Sequence, residues 1–332
     1  MDDLFSDAVR QLLADQCTPQ VVRSIEGGQS AQPLWQLIED SGFADALVDE
    51  VHGGAGLSLS EVFPVWELFG MYALPVPLAE TMLARALLAQ AGVTLPAGSI
   101  TLAHGSVNAA GAVVCDNVKN GQVADWVLVT LGTECILLPV AQARKSPAGF
   151  VLDAMLEWPQ AARVDAQTVA GAHDVRTLQA CIYAAQLAGA LMGVFNRTLQ
   201  YANERSQFGR PIGKFQAIQH QLSVLSEHTF AARMAAQIGC HSGSATPDRL
   251  RVAVAKARTS EAALEVAALS HSIHGAIGFT EEFDLQLFTR RLHVWRQAGG
   301  SESYWHSVVG TELVDHHSGL ALDLLRTATD IH

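Results

Sequence analysis

One stretch of the chain decides its fold: Arg205-Ser206-Gln207-Phe208-Gly209-Arg210-Pro211-Ile212-Gly213-Lys214-Phe215-Gln216. Apolar side chains recur every three or four positions over residues 178–199 before it and over residues 218–232 after it. This periodicity predicts a long helix on each side of the stretch. A turn that places Arg, Phe, Gly and Pro between two long helices indicates a binding site. The sequence therefore predicts a helical bundle with a binding feature at one of its turns.

Composition limits the classes of protein to consider. With 332 residues the chain is too long for one small core, and two or three domains are expected. Hydrophobic residues make up 49% and charged residues 16%, which is typical of a globular protein with much buried surface. The net charge of −12 argues against nucleic acid as a partner, because phosphate binding needs a basic face.

The sequence shows only weak signals for a membrane span, a signal peptide, a metal site, a dinucleotide-binding fold or a nucleophile elbow. No apolar run reaches the roughly 18 residues that a membrane span needs, and the acidic N-terminus lacks a signal-peptide pattern. We therefore expect a cytoplasmic protein with no membrane partner. The five scattered cysteines indicate reduced, buried thiols, and the histidine pairs lack the spacing of metal ligands. No glycine-rich dinucleotide fingerprint and no nucleophile elbow is found.

Three regions follow one another along the chain. Residues 1–93 predict an N-terminal helical domain, with helices around 59–71 and 78–91. Residues 94–168 predict a small, mainly antiparallel β domain, since short β-branched runs such as 126–130 and 135–139 alternate with turns. Residues 169–332 predict a C-terminal four-helix bundle of long, alanine-rich helices. The predicted fold class is α+β, mainly α.

This order of regions and motifs resembles the acyl-CoA dehydrogenases over nearly the whole chain. Besides the turn at 205–216, the matching motifs are Gly53-Gly54-Ala55-Gly56-Leu57, Leu74-Pro75-Val76-Pro77-Leu78-Ala79-Glu80, His274-Gly275-Ala276-Ile277-Gly278-Phe279-Thr280 and Arg290-Arg291. Several motifs in the right order are more specific than any one of them. The resemblance implies the acyl-CoA dehydrogenase fold, with a β domain of reduced length, and FAD as the cofactor.

The resemblance gives the turn a role. It implies that Arg205 reaches across a dimer interface to the FAD of the neighbouring subunit, where a guanidinium matches a pyrophosphate in charge and geometry. Gln207 and Phe208 would lie against the same cofactor. The alternative for Arg205 is a cap on the carbonyls of a helix C-terminus. The alternative for Phe208 is packing in the core.

Further cofactor contacts follow from the resemblance. Phe215 and Gln216 begin the next helix, where backbone N–H groups can meet an anion; Gln216 could instead make an N-terminal capping contact. Gly275 would allow close approach of its backbone to the partner's flavin, or it could simply end a helix. The family usually has Gln three residues before this glycine, where this chain has Ser272.

The catalytic carboxylate of the family is not where the resemblance places it. Removal of the Cα proton needs a base within hydrogen-bond reach, and the expected glutamate position falls on Gly299. A second position used in the family falls near Gln179 or Ala180, and neither is an acid. Glu302 is a weak candidate for a relocated base, and a solvated glutamate at a helix start is the simpler interpretation. Ser301 keeps a hydroxyl that the family uses near the flavin, although serine there could be only a helix N-cap.

The sequence thus leads to one main hypothesis and two alternatives. The main hypothesis is a subunit of an FAD-dependent heteromeric acyl-CoA dehydrogenase, in an α2β2 assembly with a longer paralogue that supplies the glutamate. Its substrate would be an acyl-CoA, with a steroid side chain as the suggested acyl group, and its acceptor an electron-transferring flavoprotein. The alternatives are a self-sufficient dehydrogenase with a relocated base and a flavin-free scaffold of the same fold.

Overall fold

The computed structural model describes residues 2–170 and 174–330. The α-helices are α1 (Asp2–Gln16), α2 (Pro19–Glu26), α3 (Gln32–Asp40), α4 (Leu59–Met71), α5 (Leu78–Gln90), α6 (Gln160–Val164), α7 (Val175–Glu204), α8 (Gln216–Gly239), α9 (Arg249–His274), α10 (Leu285–Trp295), α11 (Glu302–Thr311) and α12 (Ala321–Thr329). The strands are β1 (Ile100–His104), β2 (Ser106–Val107), β3 (Val113–Val118), β4 (Trp126–Leu131), β5 (Glu134–Pro139), β6 (Arg144–Pro147), β7 (Ala154–Trp158), β8 (Gln167–Val169), β9 (Ser206–Gln207) and β10 (Arg210–Pro211).

One compact unit consists of residues 1–62, 74–179 and 243–246. It contains two four-stranded sheets, with strand orders β1-β4-β5-β8 and β2-β3-β7-β6. All neighbouring strands are antiparallel except β1 and β4, which are parallel. Side chains of both sheets, including Val113, Val127, Ile136 and Leu156, share one apolar cluster. The unit is thus built on a small sandwich of sheets.

Helix α5 belongs to the same unit and is buried from Leu78 to Ala89. Its sequence is apolar on nearly every face, as expected for a helix that is covered on all sides. Arg85 is its one buried cation, and its guanidinium bonds Asp45 at 2.9 Å and pairs with Glu39. Because both carboxylates face it, the burial of this charge is compensated.

The second unit consists of residues 63–73, 180–242 and the chain from residue 247 onward, and up to residue 330 its regular secondary structure is helical apart from the β9–β10 hairpin. Helices α4 and α7 approach closely where each has a glycine: a Cβ on Gly70 would lie 1.8 Å from the Gln186 carbonyl oxygen, and a Cβ on Gly189 would lie 1.8 Å from that of Glu67. Only glycine fits such a crossing. The two helices therefore pack backbone against backbone.

An ion pair joins helices α4 and α8 in this unit. The buried Glu67 carboxylate accepts two hydrogen bonds from Arg233, from Nε at 2.7 Å and from Nη2 at 3.0 Å. Bidentate geometry of this kind is the strongest form of an arginine–carboxylate contact. It fixes the position of α8, the helix that follows the turn at 205–216.

The predicted fold class, α+β and mainly α, is confirmed, because helices make up most of the described residues and the strands form small sheets. Helix α4 occupies the predicted residues, and α5 ends within one residue of its predicted bound. The division into domains at 93/94 and 168/169 stays a prediction.

Helix α7 is more apolar than expected. One 18-residue window of α7 has the length and hydropathy of a membrane span, which the sequence expectation above did not foresee. However, 89% of that window is buried inside the protein. This degree of burial is typical of a helix at the centre of a protein core.

All five cysteines are buried and unbridged, namely Cys17, Cys115, Cys135, Cys181 and Cys240. The Sγ atoms of Cys181 and Cys240 lie 3.5 Å apart. Burial raises the pKa of Cys115 to about 12. Its thiol and the others in the core behave as small apolar groups.

Candidate cofactor-binding site

Within the stretch at residues 205–216, strands β9 and β10 form a β-hairpin at the end of α7. Strand β9 pairs with β10 in the register Gln207 to Arg210 and Ser206 to Pro211, which leaves Phe208 and Gly209 as a two-residue turn. Both have positive φ, 51° and 79°, as a type I′ turn requires. Positive φ is unfavourable for a bulky residue such as phenylalanine. The structure therefore holds Phe208 in a costly conformation at the tip of the hairpin.

The tip is open to solvent. Phe208 is 92% exposed, so packing in the core of this chain is not its role. Its ring meets that of Phe215 edge to face, with centroids 6.2 Å apart. The Arg210 guanidinium lies 4.2 Å from the centroid of the same Phe215 ring. The turn thus presents two aromatic rings and a cation together.

A cavity of about 440 Å³ lies at the base of the hairpin. Four of the predicted cofactor residues line it: Arg205, Gln207, Ser272 and Gly275. The remaining lining residues are Tyr201, Ile212, Ile273, His274, Ala276 and Ile277. The structure therefore brings together two motifs that lie about 70 residues apart in the sequence.

Arg205 is fixed by its backbone and free at its side chain. Its amide donates to the Tyr201 carbonyl at 2.8 Å, and its carbonyl accepts from the Ile212 amide at 2.8 Å. Across residues 2–170 and 174–330, no carboxylate lies within 4.0 Å of its guanidinium, and the guanidinium makes no hydrogen bond to a helix carbonyl. The helix-capping alternative for Arg205 therefore finds no support.

Gly275 leaves open space beside the cavity. Its backbone has φ 65° and ψ −145°, which is close to a region that glycine alone adopts readily. Nothing in the described structure lies within 4 Å of where a Cβ would be. Its amide also donates to the His271 carbonyl and ends α9. The residue thus ends a helix and leaves its backbone accessible to a ligand.

The other predicted residues lie outside the lining of this cavity. Phe208 and Phe215 stand at the hairpin, and Gln216 is the exposed first residue of α8. No side-chain cap is formed at that helix start. Ser301 is the N-cap of α11 and accepts from the Tyr304 amide at 3.5 Å. Ser272, inside the lining, accepts from Gln221 Nε2 at 3.3 Å.

Two cavity residues were missed by the sequence analysis, Tyr201 and His274. Their rings stack with centroids 4.4 Å apart. Tyr201 is four residues before Arg205 and so on the same helix face, a spacing that could have identified it. His274 is 4% exposed and bonds the Ser270 carbonyl through Nδ1 at 2.7 Å. Its Nε2 has no partner in the described chain.

Burial lowers the pKa of His274. The hydrogen bond to Ser270 opposes this effect, and nearby His271 adds to it. Because the neutral ring donates from Nδ1 to a carbonyl, Nε2 is its acceptor. This acceptor is buried and has no hydrogen-bond partner among the described residues.

The loop at the expected catalytic position carries no carboxylate. Gly299 and Gly300 both have positive φ, and the Gly299 carbonyl accepts from Trp305 Nε1 at 3.0 Å. Glu302 forms an ion pair with Arg296 through Oε1, while its Oε2 is buried without a hydrogen bond.

At the second expected position, Gln179 donates to the Leu102 carbonyl at 2.8 Å. Its amide is therefore used in holding β1. An amide also cannot serve as a general base.

Comparison with known proteins defines the class. The profile of the "Acyl-CoA dehydrogenase, C-terminal domain" matches residues 178–313. The "Acyl-CoA dehydrogenase IpdE2" of Mycolicibacterium smegmatis is 30% identical over 294 residues, which cover 88% of this chain and 92% of that relative. The chain therefore belongs to the acyl-CoA dehydrogenase family, a family of FAD-dependent oxidoreductases.

Solved structures show the same fold. The ChsE4-ChsE5 complex from Mycobacterium tuberculosis has a TM-score of 0.82 at 22% identity and covers 96% of this chain and 98% of its own. A variant of the Tcur3481-Tcur3483 steroid ACAD has a TM-score of 0.80 at 23% identity, with 95% and 98% covered.

Proposed function

We propose that the chain is a subunit of a heteromeric acyl-CoA dehydrogenase that contributes FAD contacts across an interface, while a longer partner supplies the catalytic glutamate. The complex would be an α2β2 heterotetramer with fewer flavins than chains. Its reaction would be α,β-dehydrogenation of a CoA thioester. FAD, when bound, supplies the hydride acceptor for that reaction.

The observation that carries the proposal is the exposed, unpaired Arg205 guanidinium beside the open backbone of Gly275. A pyrophosphate needs a cation that is not already neutralised and a backbone that it can approach. The cavity provides both, with Gln207 also in its lining, and the strained, exposed Phe208 stands outside the lining at the tip of the hairpin. These residues therefore fit the phosphate and adenosine part of FAD.

The need for a partner rests on what this chain lacks. Gly299 has no acid to remove a proton, and Gln179 holds β1. The Glu302 oxygen that bonds Arg296 is already used. A half-site of this kind needs a base from another chain, and the exposed aromatic tip of the hairpin gives such a chain a surface to cover.

The wider setting extends the same proposal. Two structural neighbours are described as the ChsE4-ChsE5 complex and as a steroid ACAD. They support a partner subunit and a bulky acyl group such as a steroid side chain. An electron-transferring flavoprotein as the acceptor and a cytoplasmic location complete the proposal.

Flavin stoichiometry tests it. The chain should purify without flavin when expressed alone. It should retain fewer than one FAD per chain when co-expressed with a longer homologue that keeps the glutamate. Flavin absorbance per mole of protein, with acyl-CoA oxidation in both preparations, is the measurement. One flavin per chain together with turnover in the chain alone would overturn the proposal. A complex with no flavin absorbance would also contradict it and would favour the flavin-free scaffold.

The self-sufficient alternative keeps one specific observation, the buried Oε2 of Glu302 that has no hydrogen-bond partner. Glu302→Gln tests it, because the amide keeps the shape of the side chain and cannot act as a base. We expect turnover of the complex to change by less than about threefold, since loss of a general base costs about 10²- to 10⁴-fold. A loss in that larger range, with unchanged thermal stability, would make Glu302 the base.

A further inference from the structure

Lys256 is a fully buried cation in the middle of α9. Its Nζ donates three hydrogen bonds, to Ser260 Oγ at 2.8 Å, the Arg296 carbonyl at 2.8 Å and the Gly300 carbonyl at 3.1 Å. An ammonium has three N–H donors, and all three are used here. Two of the three acceptors are main-chain carbonyls of the loop at residues 296–301.

Turn hydrogen bonds also hold that loop, from the Ala298 amide to the Trp295 carbonyl at 3.1 Å and from the Gly300 amide to the Gln297 carbonyl at 3.2 Å. Gly299 and Gly300 have φ of 67° and 106°, so regular secondary structure does not hold them. Trp305 Nε1 bonds the Gly299 carbonyl, and Ser260 Oγ bonds the Arg296 carbonyl at 3.2 Å. The Arg296–Glu302 ion pair closes the two ends. Lys256 is the group that reaches both ends of the loop from beneath.

Protonation of Lys256 decides how many of these bonds exist. Burial is the largest influence and lowers the pKa of Lys256 to about 7. Glu302 of α11 opposes this effect and Arg296, at the end of α10, adds to it. Neutral lysine has two N–H donors and a lone pair, so one of its three oxygen acceptors would lose its hydrogen bond.

We propose that Lys256 is a positioning residue whose ammonium holds the loop at residues 296–301 in place, and that loss of its proton loosens this loop. The inference depends on the contacts of this chain. Its meaning for flavin chemistry rests on the proposed function, since the loop contains Gly299 and Ser301, which the family resemblance places at the reaction centre.

The contribution of Lys256 to the free energy of unfolding should change with pH in the opposite direction from the order of the loop. The folded chain has a Lys256 pKa below the ordinary value of 10.5, so between about 7 and 10.5 the unfolded chain binds more protons. The contribution of Lys256 to the free energy of unfolding therefore rises with pH over this window. The proposal therefore predicts that, as the pH rises, the loop loses protection while the contribution of Lys256 to the free energy of unfolding increases. General unfolding would not give this combination.

Hydrogen exchange on the full-length chain tests the proposal without partner or flavin. Protection of the backbone amides at 296–305, corrected for the pH dependence of chemical exchange, should fall about tenfold from pH 6 to pH 8.5, as expected for one lost hydrogen bond to a charged group. Lys256→Met should show the lower protection at both pH values. Lys256→Arg, which stays charged, should keep the higher protection at both.

Controls separate this proposal from other causes. Lys145→Met, at an exposed lysine in β6, should leave the exchange of the loop as in the wild-type chain. The Nζ resonance of Lys256 should titrate with the same midpoint as the loop in the wild-type chain, which needs no variant to fold. If the pH dependence persists in Lys256→Arg, a histidine controls the loop, and the proposal is wrong. It is also wrong if Lys256 titrates near 10, and either result leaves the proposed function standing.

Discussion

Replacement of Arg205 by Met should lower the affinity of the complex for FAD by about 100-fold, because it removes a charged contact whose loss typically costs between 2 and 5 kcal/mol. Met keeps an unbranched, flexible side chain and removes the charged guanidinium. Arg205→Lys should fall in between, since it keeps the charge and loses the planar fork. The measurement is fluorescence titration of the flavin-free complex with FAD.

The matched control is Arg326→Met on α12. Arg326 is also exposed, and its one carboxylate contact within residues 2–170 and 174–330, to Asp323, is long at 3.8 Å. This variant should bind FAD like the wild-type complex. Equal affinities for all three arginine variants, in complexes that assemble normally, would show that Arg205 does not contact the cofactor and would remove the main support for the proposed function.

Substitution of Gly189 by Ala should destabilise the chain by about 4 kcal/mol or more, a size that marks a specific steric cause. The added Cβ would lie 1.8 Å from the Glu67 carbonyl oxygen and 2.7 Å from its carbonyl carbon. A backbone atom cannot rotate away as a side chain can, so α4 and α7 must separate. Since domains are stable by only about 5–15 kcal/mol, this loss is a large part of the total stability, and the midpoint of urea unfolding should fall sharply.

Gly310→Ala is the control for this prediction. Gly310 lies inside α11 with no described atom within 4 Å of the added Cβ. There alanine should be neutral or stabilise the chain by about 0.5–1 kcal/mol, because it restricts the unfolded backbone and favours the helix. Urea denaturation followed by circular dichroism compares both variants with the wild-type chain. Equal midpoints for the two would mean that the glycine crossing is looser than the structure shows.

Much of the fold could be predicted from the sequence because the periodicity is strong. The apolar spacing from Leu178 to Leu199 lies within α7, and the runs at 126–130 and 135–139 became β4 and β5. Strand β6, Arg144–Pro147, was missed because its polar, mostly exposed residues carry no alternation. The parallel pairing of β1 with β4 was also not foreseen, because pairing across more than 20 residues leaves no local signal.

Less of the candidate site could be predicted. Motifs identified the turn and Gly275, but the hairpin within the turn contradicts local propensity, because Phe208 must adopt positive φ. Tertiary contacts impose that conformation, and they cannot be read from six residues. The interactions of Lys256 could not be predicted for a similar reason: lysine in an alanine-rich helix predicts an exposed residue, whereas its two main-chain acceptors lie 40 and 44 residues further along the chain.

Because every thiol is buried, the rate at which the cysteines are alkylated reports how often the folded protein opens. The thiolate is the form of cysteine that attacks an alkylating reagent. It is scarce in the core, because burial raises the pKa of Cys115, and the hydrogen bond with Cys181 together with burial raises the pKa of Cys240. A folded molecule should therefore stay unmodified, and a molecule that has opened should gain up to five adducts. Intact mass after timed alkylation would then rank variants in a single mixture, without a dye or an engineered label.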